Sequence, residues 1–216
     1  MQSKRLGRQT VRLNHPPSVV SFAAIGSRHE AKGPLASYFD ELSPDSFFGA
    51  KTWEQGESAM QSRVLEHALK KGGLKPADLD YILAGDLLNQ CIGTSFGLRD
   101  FRVPFFGLYG ACSTMGESIA VASLLIDGGF ARIAGAMTSS HYCTAERQYR
   151  MPVPYGSQRT PTAQWTATAA GCAIVGRADH GPAVTAVTCG KIVDRGIKDT
   201  NNMGAAMAPV DVKLAP

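Results

Sequence analysis

The feature that most constrains the fold is a strand-like run over residues 103–108 that leads through a small-residue turn into an apolar helix. Cys112 lies on this turn, between Gly110 and Gly116. Small residues let the backbone turn sharply and leave the cysteine at the tip. The free amides and the positive dipole end of the following helix favour an anion or a thiolate there. The turn therefore predicts either a nucleophile or the floor of a carboxylate pocket.

The helix after this turn is apolar on all sides over Ile119 to Ile126. Such a helix is typical of a buried core or of a membrane span. A span needs about 20 apolar residues, so this segment is too short. The sequence predicts a central buried helix, with no membrane-spanning segment and no signal peptide. Nothing else in the chain is patterned to cover its second face, so the chain resembles half of a larger structure.

The composition limits the function classes. A chain of 216 residues that is 44% hydrophobic suits one domain or one and a half. The formal net charge of +4 is spread along the chain, which gives no indication of nucleic acid as a partner but is compatible with an anionic ligand. Five cysteines without a CxxC pair indicate a reducing compartment rather than a disulfide framework or zinc site. No metal and no cofactor is expected.

Buried-strand patterns alternate with helical patterns along the chain, and two further strands, predicted as a hairpin around Gly181-Pro182, follow. This order predicts an α/β fold with a mostly parallel five-stranded sheet and helices on both faces. Residues 1–17 are predicted as an irregular lead-in and residues 18–195 as the folded unit. Residues 139–165 form a long loop within that unit, and residues 196–216 are predicted as a tail.

Polar residues follow two of the predicted strands, 81–85 and 132–137. Ligands gather beyond the carboxyl ends of parallel strands, so these side chains are expected to face Cys112. The candidate contacts are Asp86, Asn89, Ser139, Ser140 and His141. For Asp86 and Asn89, capping of the next helix is an equally good interpretation. His141 is the histidine placed to act on Cys112 as a base, and a structural or ligand-binding role is its alternative.

The long loop carries basic residues. Loops of this length are usually binding loops or lids, and the guanidinium groups of Arg147 and Arg150 have the forked geometry that pairs with carboxylates. The alternative is a solvated surface loop.

Several stretches, in order over most of the chain, resemble the stage V sporulation protein AD family of spore-forming Firmicutes, within the thiolase-like superfamily. They include Ala84 to Gln90, Gly110 to Thr114, Thr138 to His141 and Asn202 to Gly204. The resemblance implies the amino-terminal half of a thiolase-like αβαβα sandwich, whose two related halves pack their central helices together. It also implies that residues 196–216 lead toward a second half.

The same resemblance implies a function. The family belongs to a complex that moves dipicolinic acid, chelated with calcium, into the developing spore and out at germination. Dipicolinate is a flat dianion, so the turn at Cys112, Ser113 and Thr114 is expected to bind one carboxylate and an arginine of the long loop the other. The implied location is peripheral, on the inner membrane of the spore or forespore. The implied partners are the other subunits of that complex and a second copy of the chain, joined through the edge of strand 103–106, where Pro104 suits an edge position.

Two other functions stay open. The first is a thiolase-like or ketoacyl-synthase-like acyltransferase in which Cys112 is the nucleophile, forms a thioester, and uses His141 as its base. The second is a scaffold, or a half-chain that needs a complementing half to fold.

Overall fold

A computed structural model describes residues 4–149, 167–178, 180–198 and 205. The strands within them are β1 (Arg5–Leu6), β2 (Thr10–Arg12), β3 (Ser18–Gly26), β4 (Glu41–Leu42), β5 (Tyr81–Gly85), β6 (Phe105–Gly107), β7 (Ile133–Ser140), β8 (Ala169–Gly176) and β9 (Ala186–Thr188). The α-helices are α1 (Trp53–Gly72), α2 (Ile92–Leu98), α3 (Thr114–Asp127) and α4 (Tyr142–Tyr149).

The larger sheet has the strand order β4-β3-β8-β7-β5-β6. Strands β3, β4, β5, β6 and β7 share one direction, and β8 runs antiparallel between β3 and β7. The prediction of a mostly parallel sheet is therefore confirmed. The expected five strands become six because the two-residue β4 adds to the edge beside β3.

Helices α1 and α3 cover opposite faces of this sheet, as predicted. Side chains alternate along a strand, so Ile82 and Ala84 pack in the core beneath α1, whereas Leu83 packs with the residues beneath α3. Each face has its own hydrophobic core. The sheet thus forms the middle layer between two helical layers.

Helix α1 begins and ends at signals within its own sequence. The Thr52 hydroxyl accepts the N–H of Gln55 at 3.3 Å, which caps the first turn. The Gln55 side chain accepts the N–H of Lys51 at 3.2 Å, one residue before the position that a capping box would use. Gly73 ends the helix with a left-handed φ of 64°.

The predicted hairpin of the last two strands is wrong. Strand β9 pairs with β2, and β1, β2 and β9 form a separate small antiparallel sheet. The reason is that both edges of β8 are already occupied by β3 and β7, so no edge is left for β9. The lead-in is also more ordered than expected, because its residues supply β1 and β2.

The loop expected over residues 139–165 is helical in part. Ser139 and Ser140 complete β7, and α4 follows over Tyr142–Tyr149. The Thr168 hydroxyl accepts the N–H of Tyr142 at 3.0 Å at the start of this helix. Residues 150–166 lie outside the described residues.

Two apolar surfaces are partly exposed. Strand β6 forms one edge of the larger sheet, with Phe105 38% and Phe106 45% exposed. On α3 the side facing away from the sheet carries Leu124, 36% exposed. Among the helices of the described residues, none combines the length and the hydropathy that a bilayer crossing requires.

Candidate functional site

The turn that carries Cys112 is a single 3-10 turn, Ala111–Ser113, immediately before α3. The Cys112 side chain is exposed. Thr114 is buried, and its hydroxyl accepts the N–H of Gly110 at 3.2 Å. A Cβ on Gly110 would collide with the Ser113 hydroxyl and the Glu117 carboxylate, so both side chains would have to move if this glycine were replaced. The sequence thus presents a thiol at the start of α3, beside a carboxylate of the first helical turn.

The end of β5 lies directly against the chain that leads to this turn. A Cβ on Gly85 would lie 1.9 Å from the carbonyl oxygen of Leu108. The N–H of Leu108 in turn donates to the carbonyl of Ala84 at 2.9 Å. Glycine at position 85 therefore allows the carboxyl end of β5 to lie against the carboxyl end of β6.

The polar residues at the end of β7 divide between the two faces of the sheet. Ser139 faces α1, where its hydroxyl donates to Glu57 Oε1 at 2.9 Å. Alternation places Thr138 and Ser140 on the face of α3. The Thr138 hydroxyl donates to the carbonyl of Gly85 at 3.0 Å. Residues that the sequence assigns to one site thus lie on two sides of the sheet.

Asp86 is buried and its carboxylate is fully used by the next segment of chain. Its Oδ1 accepts the N–H of Leu88 at 2.8 Å, and its Oδ2 accepts the N–H of Thr94 at 2.7 Å and also the Thr94 hydroxyl. These contacts match the helix-capping interpretation of Asp86. Asn89 is exposed on the 3-10 turn before α2.

The structure adds two buried polar residues that the sequence analysis missed, Glu57 and Gln61 on α1, both 0% exposed. Gln61 Nε2 contacts the hydroxyls of Ser139 at 2.9 Å and Thr94 at 3.2 Å. Their spacing in the sequence could have identified them. Positions 57 and 61 continue, at helical intervals, the stripe of buried apolar residues on α1 that includes Val64. A polar residue in such a stripe indicates a buried polar contact.

Glu57 is the most perturbed carboxyl of this group. Burial raises its pKa to about 7, and the nearby Asp86 charge adds to the rise. Hydrogen bonds from the hydroxyls of Thr144, at 2.7 Å, and Ser139 act in the opposite direction. Glu57 therefore gains or loses its proton near neutral pH.

His141 is buried and held by the main chain. Its Nε2 lies 2.7 Å from the carbonyl oxygen of Ser46, which only accepts, so Nε2 carries the ring proton. Its Nδ1 accepts the N–H of Cys143 at 3.2 Å. Both ring nitrogens are therefore engaged by the backbone.

The structure does not gather all the predicted site residues around one cavity. The Arg147 side chain and Arg150 lie outside the described residues. A shallow cavity of about 390 Å³ lies at the opposite end of the strands, against Asp80, Phe130 and Arg132, and contains none of the predicted residues. Within the parts of the chain that the structure describes, no three His, Cys, Asp or Glu side chains are grouped as a metal site.

The arrangement defines a class of protein: one half of a thiolase-like fold. A 3-oxoacyl-[acyl-carrier-protein] synthase III from Aquifex aeolicus has a similar structure, with a TM-score of 0.52 and 17% identity over 76% of this chain and 55% of that one. A β-ketoacyl-[acyl carrier protein] synthase III from Thermus thermophilus matches with a TM-score of 0.51 and 16% identity over 76% of this chain and 52% of that one. At such identities the likeness shows the fold alone.

Sequence comparison then gives the family. The family model of stage V sporulation protein AD matches residues 7–215. The stage V sporulation protein AD of Bacillus subtilis (strain 168) is 42% identical over 206 residues, which are 95% of this chain. The chain belongs to the stage V sporulation protein AD family. It spans 61% of the length of that curated relative.

Proposed function

We propose that this chain is part of a non-catalytic subunit that binds dipicolinic acid within the spore complex for dipicolinate uptake and release. Family membership supports a role in sporulation. The observation that carries the binding proposal is the exposed turn at Cys112, which offers the start of α3 to a ligand. One carboxylate of dipicolinate binds there, where the positive end of the helix dipole favours an anion. The expected free amides are not those of Ser113 and Thr114, because both N–H groups donate within the turn, to the carbonyls of Gly110 and Ala111.

The charge around the turn bears on the form of the ligand. Glu117 brings a carboxylate to the first turn of α3. A free dipicolinate dianion would be repelled by this group, whereas the calcium chelate of dipicolinate carries no net charge. We therefore expect the chelate to bind more tightly than the free dianion.

His141 supports a non-catalytic role. A cysteine nucleophile needs a base within hydrogen-bonding reach. Both ring nitrogens of His141 are engaged by the main chain at Ser46 and Cys143, and the side chain is fully buried. This geometry leaves His141 poorly suited to activate Cys112 and weakens the acyltransferase alternative.

The remaining parts of the proposal concern partners. Arg147 or Arg150 binds the second carboxylate of the ligand. A second copy of the chain joins at the edge strand β6, and the other subunits of the spore complex hold the protein peripherally at the inner membrane of the spore or forespore. Each of these contacts is testable separately from ligand binding.

Isothermal titration calorimetry of the chain with dipicolinate, with and without calcium, tests the proposal. Arg147→Ala or Arg150→Ala is expected to weaken binding about 10-fold or more, because a charge-assisted hydrogen bond contributes about 1.5–3 kcal/mol. Cys112→Ala is expected to weaken it modestly, about 2- to 3-fold, because the thiol is a weak donor. Arg132→Ala is the matched control, since Arg132 is exposed at the opposite end of the strands.

The same titration with acetyl-CoA addresses the acyltransferase alternative. Binding of acetyl-CoA together with rapid, selective labelling of Cys112 by iodoacetamide would favour an enzyme. Cys189, which is also exposed, provides the reference rate within the same chain. Unchanged dipicolinate affinity in all three variants would show that the pocket is elsewhere.

A further inference from the structure

A cluster of buried polar side chains lies beneath the carboxyl ends of β5 and β7. It contains two carboxyl groups, those of Glu57 and Asp86, which are connected through the side-chain amide of Gln61. Gln61 Nε2 contacts the Ser139 and Thr94 hydroxyls, and each hydroxyl reaches one carboxyl: Ser139 contacts Glu57, and Thr94 contacts Asp86. A Cβ on Gly93 would lie 3.3 Å from Asp86 Oδ2 and 3.3 Å from Glu57 Cγ, so both acids flank the same point. Two negative charges so close in a dry site are unfavourable.

The donors at the two acids differ in kind. Asp86 accepts two backbone N–H groups, from Leu88 and Thr94, in addition to a hydroxyl. Glu57 is contacted only by the hydroxyls of Ser139 and Thr144 among the described residues. When one of the two acids is protonated, the proton therefore belongs on Glu57, because fewer hydrogen-bond donors stabilise a negative charge there.

The hydroxyl of Thr144 also indicates a protonated Glu57. Thr144 Oγ1 lies 2.7 Å from Glu57 Oε2 and 3.0 Å from the carbonyl oxygen of His141, yet it has one proton to donate. An ionised Glu57 leaves one of these two contacts without a hydrogen. A protonated Glu57 donates to Thr144, which then donates to His141, and both contacts are satisfied.

We propose that a proton bound by Glu57 holds helix α4 against helix α1, and that loss of this proton weakens that contact. Thr144 lies in the first turn of α4 and, among the described side chains of that helix, is the one that reaches the Glu57 carboxyl. Without the proton, Thr144 gives up its bond to His141 or leaves a buried carboxylate charge with fewer donors. Either change removes stabilisation from the start of α4.

Among the described residues, the charged groups that act on Glu57 are both acidic. From α1 itself comes Glu54, and from the end of β5 comes Asp86. Strand β7 contributes the uncharged Ser139, α2 contributes Gly93, and the residue before α4 is His141, whose ring nitrogens contact the backbone of Ser46 and Cys143. No cation among the described residues forms an ion pair with Glu57 to compensate its ionisation.

Two measurements on the unaltered chain test the proposal. Carbon-13 NMR of labelled glutamate carboxyls is expected to show one group that titrates near pH 7, well above the ordinary 4.3. Amide hydrogen exchange, corrected for its intrinsic pH dependence, is expected to show the opening of α4 increasing about tenfold per pH unit as pH rises toward 7 and levelling above it. The amides in the centre of α1 and in β7 should change less.

The variants Glu57→Gln and Glu66→Gln test whether the pH response of α4 depends on the proton of Glu57. A glutamine at 57 has an oxygen to accept from Ser139 and an N–H to donate to Thr144, so α4 should stay protected at every pH. Glu66 is exposed on the same helix, so its variant should keep the pH response of the unaltered chain.

Three results would overturn the proposal: a Glu57 carboxyl that titrates in the ordinary range, an opening of α4 that ignores pH, or an equal response of all amides. The NMR titration and the hydrogen exchange of the unaltered chain together decide the question even if Glu57→Gln does not fold.

Discussion

At the scale of single residues, Gly85 has the least room for a side chain among the described glycines. It ends β5 against the Leu108 carbonyl, and an alanine Cβ there would lie 1.9 Å from that oxygen. Because the obstacle is backbone, no side-chain rotation relieves it. We expect Gly85→Ala to lower the free energy of unfolding by about 3 kcal/mol, at the upper end of overpacking effects, as measured by urea denaturation.

Gly171 is the matched control, since it lies in β8 of the same sheet and nothing would contact an added Cβ within 4 Å. Gly171→Ala should change the unfolding free energy by no more than about 0.5 kcal/mol. Equal losses in the two variants would mean that strand glycines are costly to replace for a reason other than the Leu108 contact.

The site residues show how much of the candidate site could be predicted from the sequence. Asp86 was predicted as a ligand contact or as a cap, and its hydrogen bonds to Leu88 and Thr94 match the cap; a ligand role stays a prediction. Glu57 was missed because its partner Ser139 lies 82 residues away. A local pattern shows that a polar residue interrupts an apolar stripe but not which distant hydroxyl satisfies it.

At the scale of elements, the start of α1 depends on one hydroxyl. We expect Thr52→Ala to lower the unfolding free energy by about 1 kcal/mol, because the N–H of Gln55 loses its acceptor. Ser62→Ala, in the interior of the same helix, should be neutral or slightly stabilising, since alanine has the higher helix propensity. Thermal denaturation followed by circular dichroism measures both; a larger loss for Ser62→Ala would refute the capping argument.

The edge strand β6 gives a second prediction at this scale. If a second copy joins there, Phe105→Lys should shift the chain from dimer to monomer in sedimentation velocity, because a charge on an exposed edge opposes pairing. Phe96→Lys, on the exposed side of α2, should leave the association state unchanged. A monomer in the unaltered chain at all concentrations, or equal effects of the two lysines, would contradict the edge assignment.

Elements that depend on local signals were predicted well, and those that depend on distant pairing were not. Helix α1 has a cap, an apolar stripe and a terminal glycine within its own residues, so its bounds follow from sequence. Strand β9 has no such constraint: it pairs with β2, with Thr10 opposite Thr188. No local pattern distinguishes that partner from β8, its neighbour along the chain.

At the scale of the whole molecule, acid should destabilise the fold. Among the described residues, four carboxyls have lowered pKa values: Asp40, Glu41, Asp80 and Asp127. The hydrogen bond from the Arg132 backbone lowers the pKa of Asp80, and for Asp127 burial raises the pKa but the Lys4 bond and other donors outweigh it. Their contribution to stability is present above about pH 4 and is lost as pH falls through the folded-state values.

Ionisation of Glu57 changes the stability in the opposite direction to that of these four carboxyls. Its folded-state pKa of about 7 lies above its unfolded value, so its contribution is complete below the unfolded value and declines as pH rises toward 7. We expect the unfolding free energy, measured in urea from pH 3 to 8, to have a maximum between about pH 4 and 5 and to fall from there to pH 7. A flat profile from pH 5 to 8 would show that Glu57 does not have this effect.

The exposed side of α3 is also a property of the whole molecule. The chain spans 61% of the Bacillus subtilis relative, and in that setting we propose that Leu124 packs against a second, related half. The apolar character of the helix on all sides was readable from the sequence. Which surface covers it was not, because the pattern within one helix carries no information about the partner of that helix.

Cys172 offers a practical consequence of the two-sided sheet. It lies in β8 with strands on both sides, is 1% exposed, and burial raises its pKa to about 12. A thiol reagent therefore reaches it only in molecules whose sheet has separated, whereas Cys112 and Cys189 react in the intact fold. The labelling rate of Cys172 would therefore report the rate of spontaneous unfolding in buffer, without denaturant or an engineered reporter.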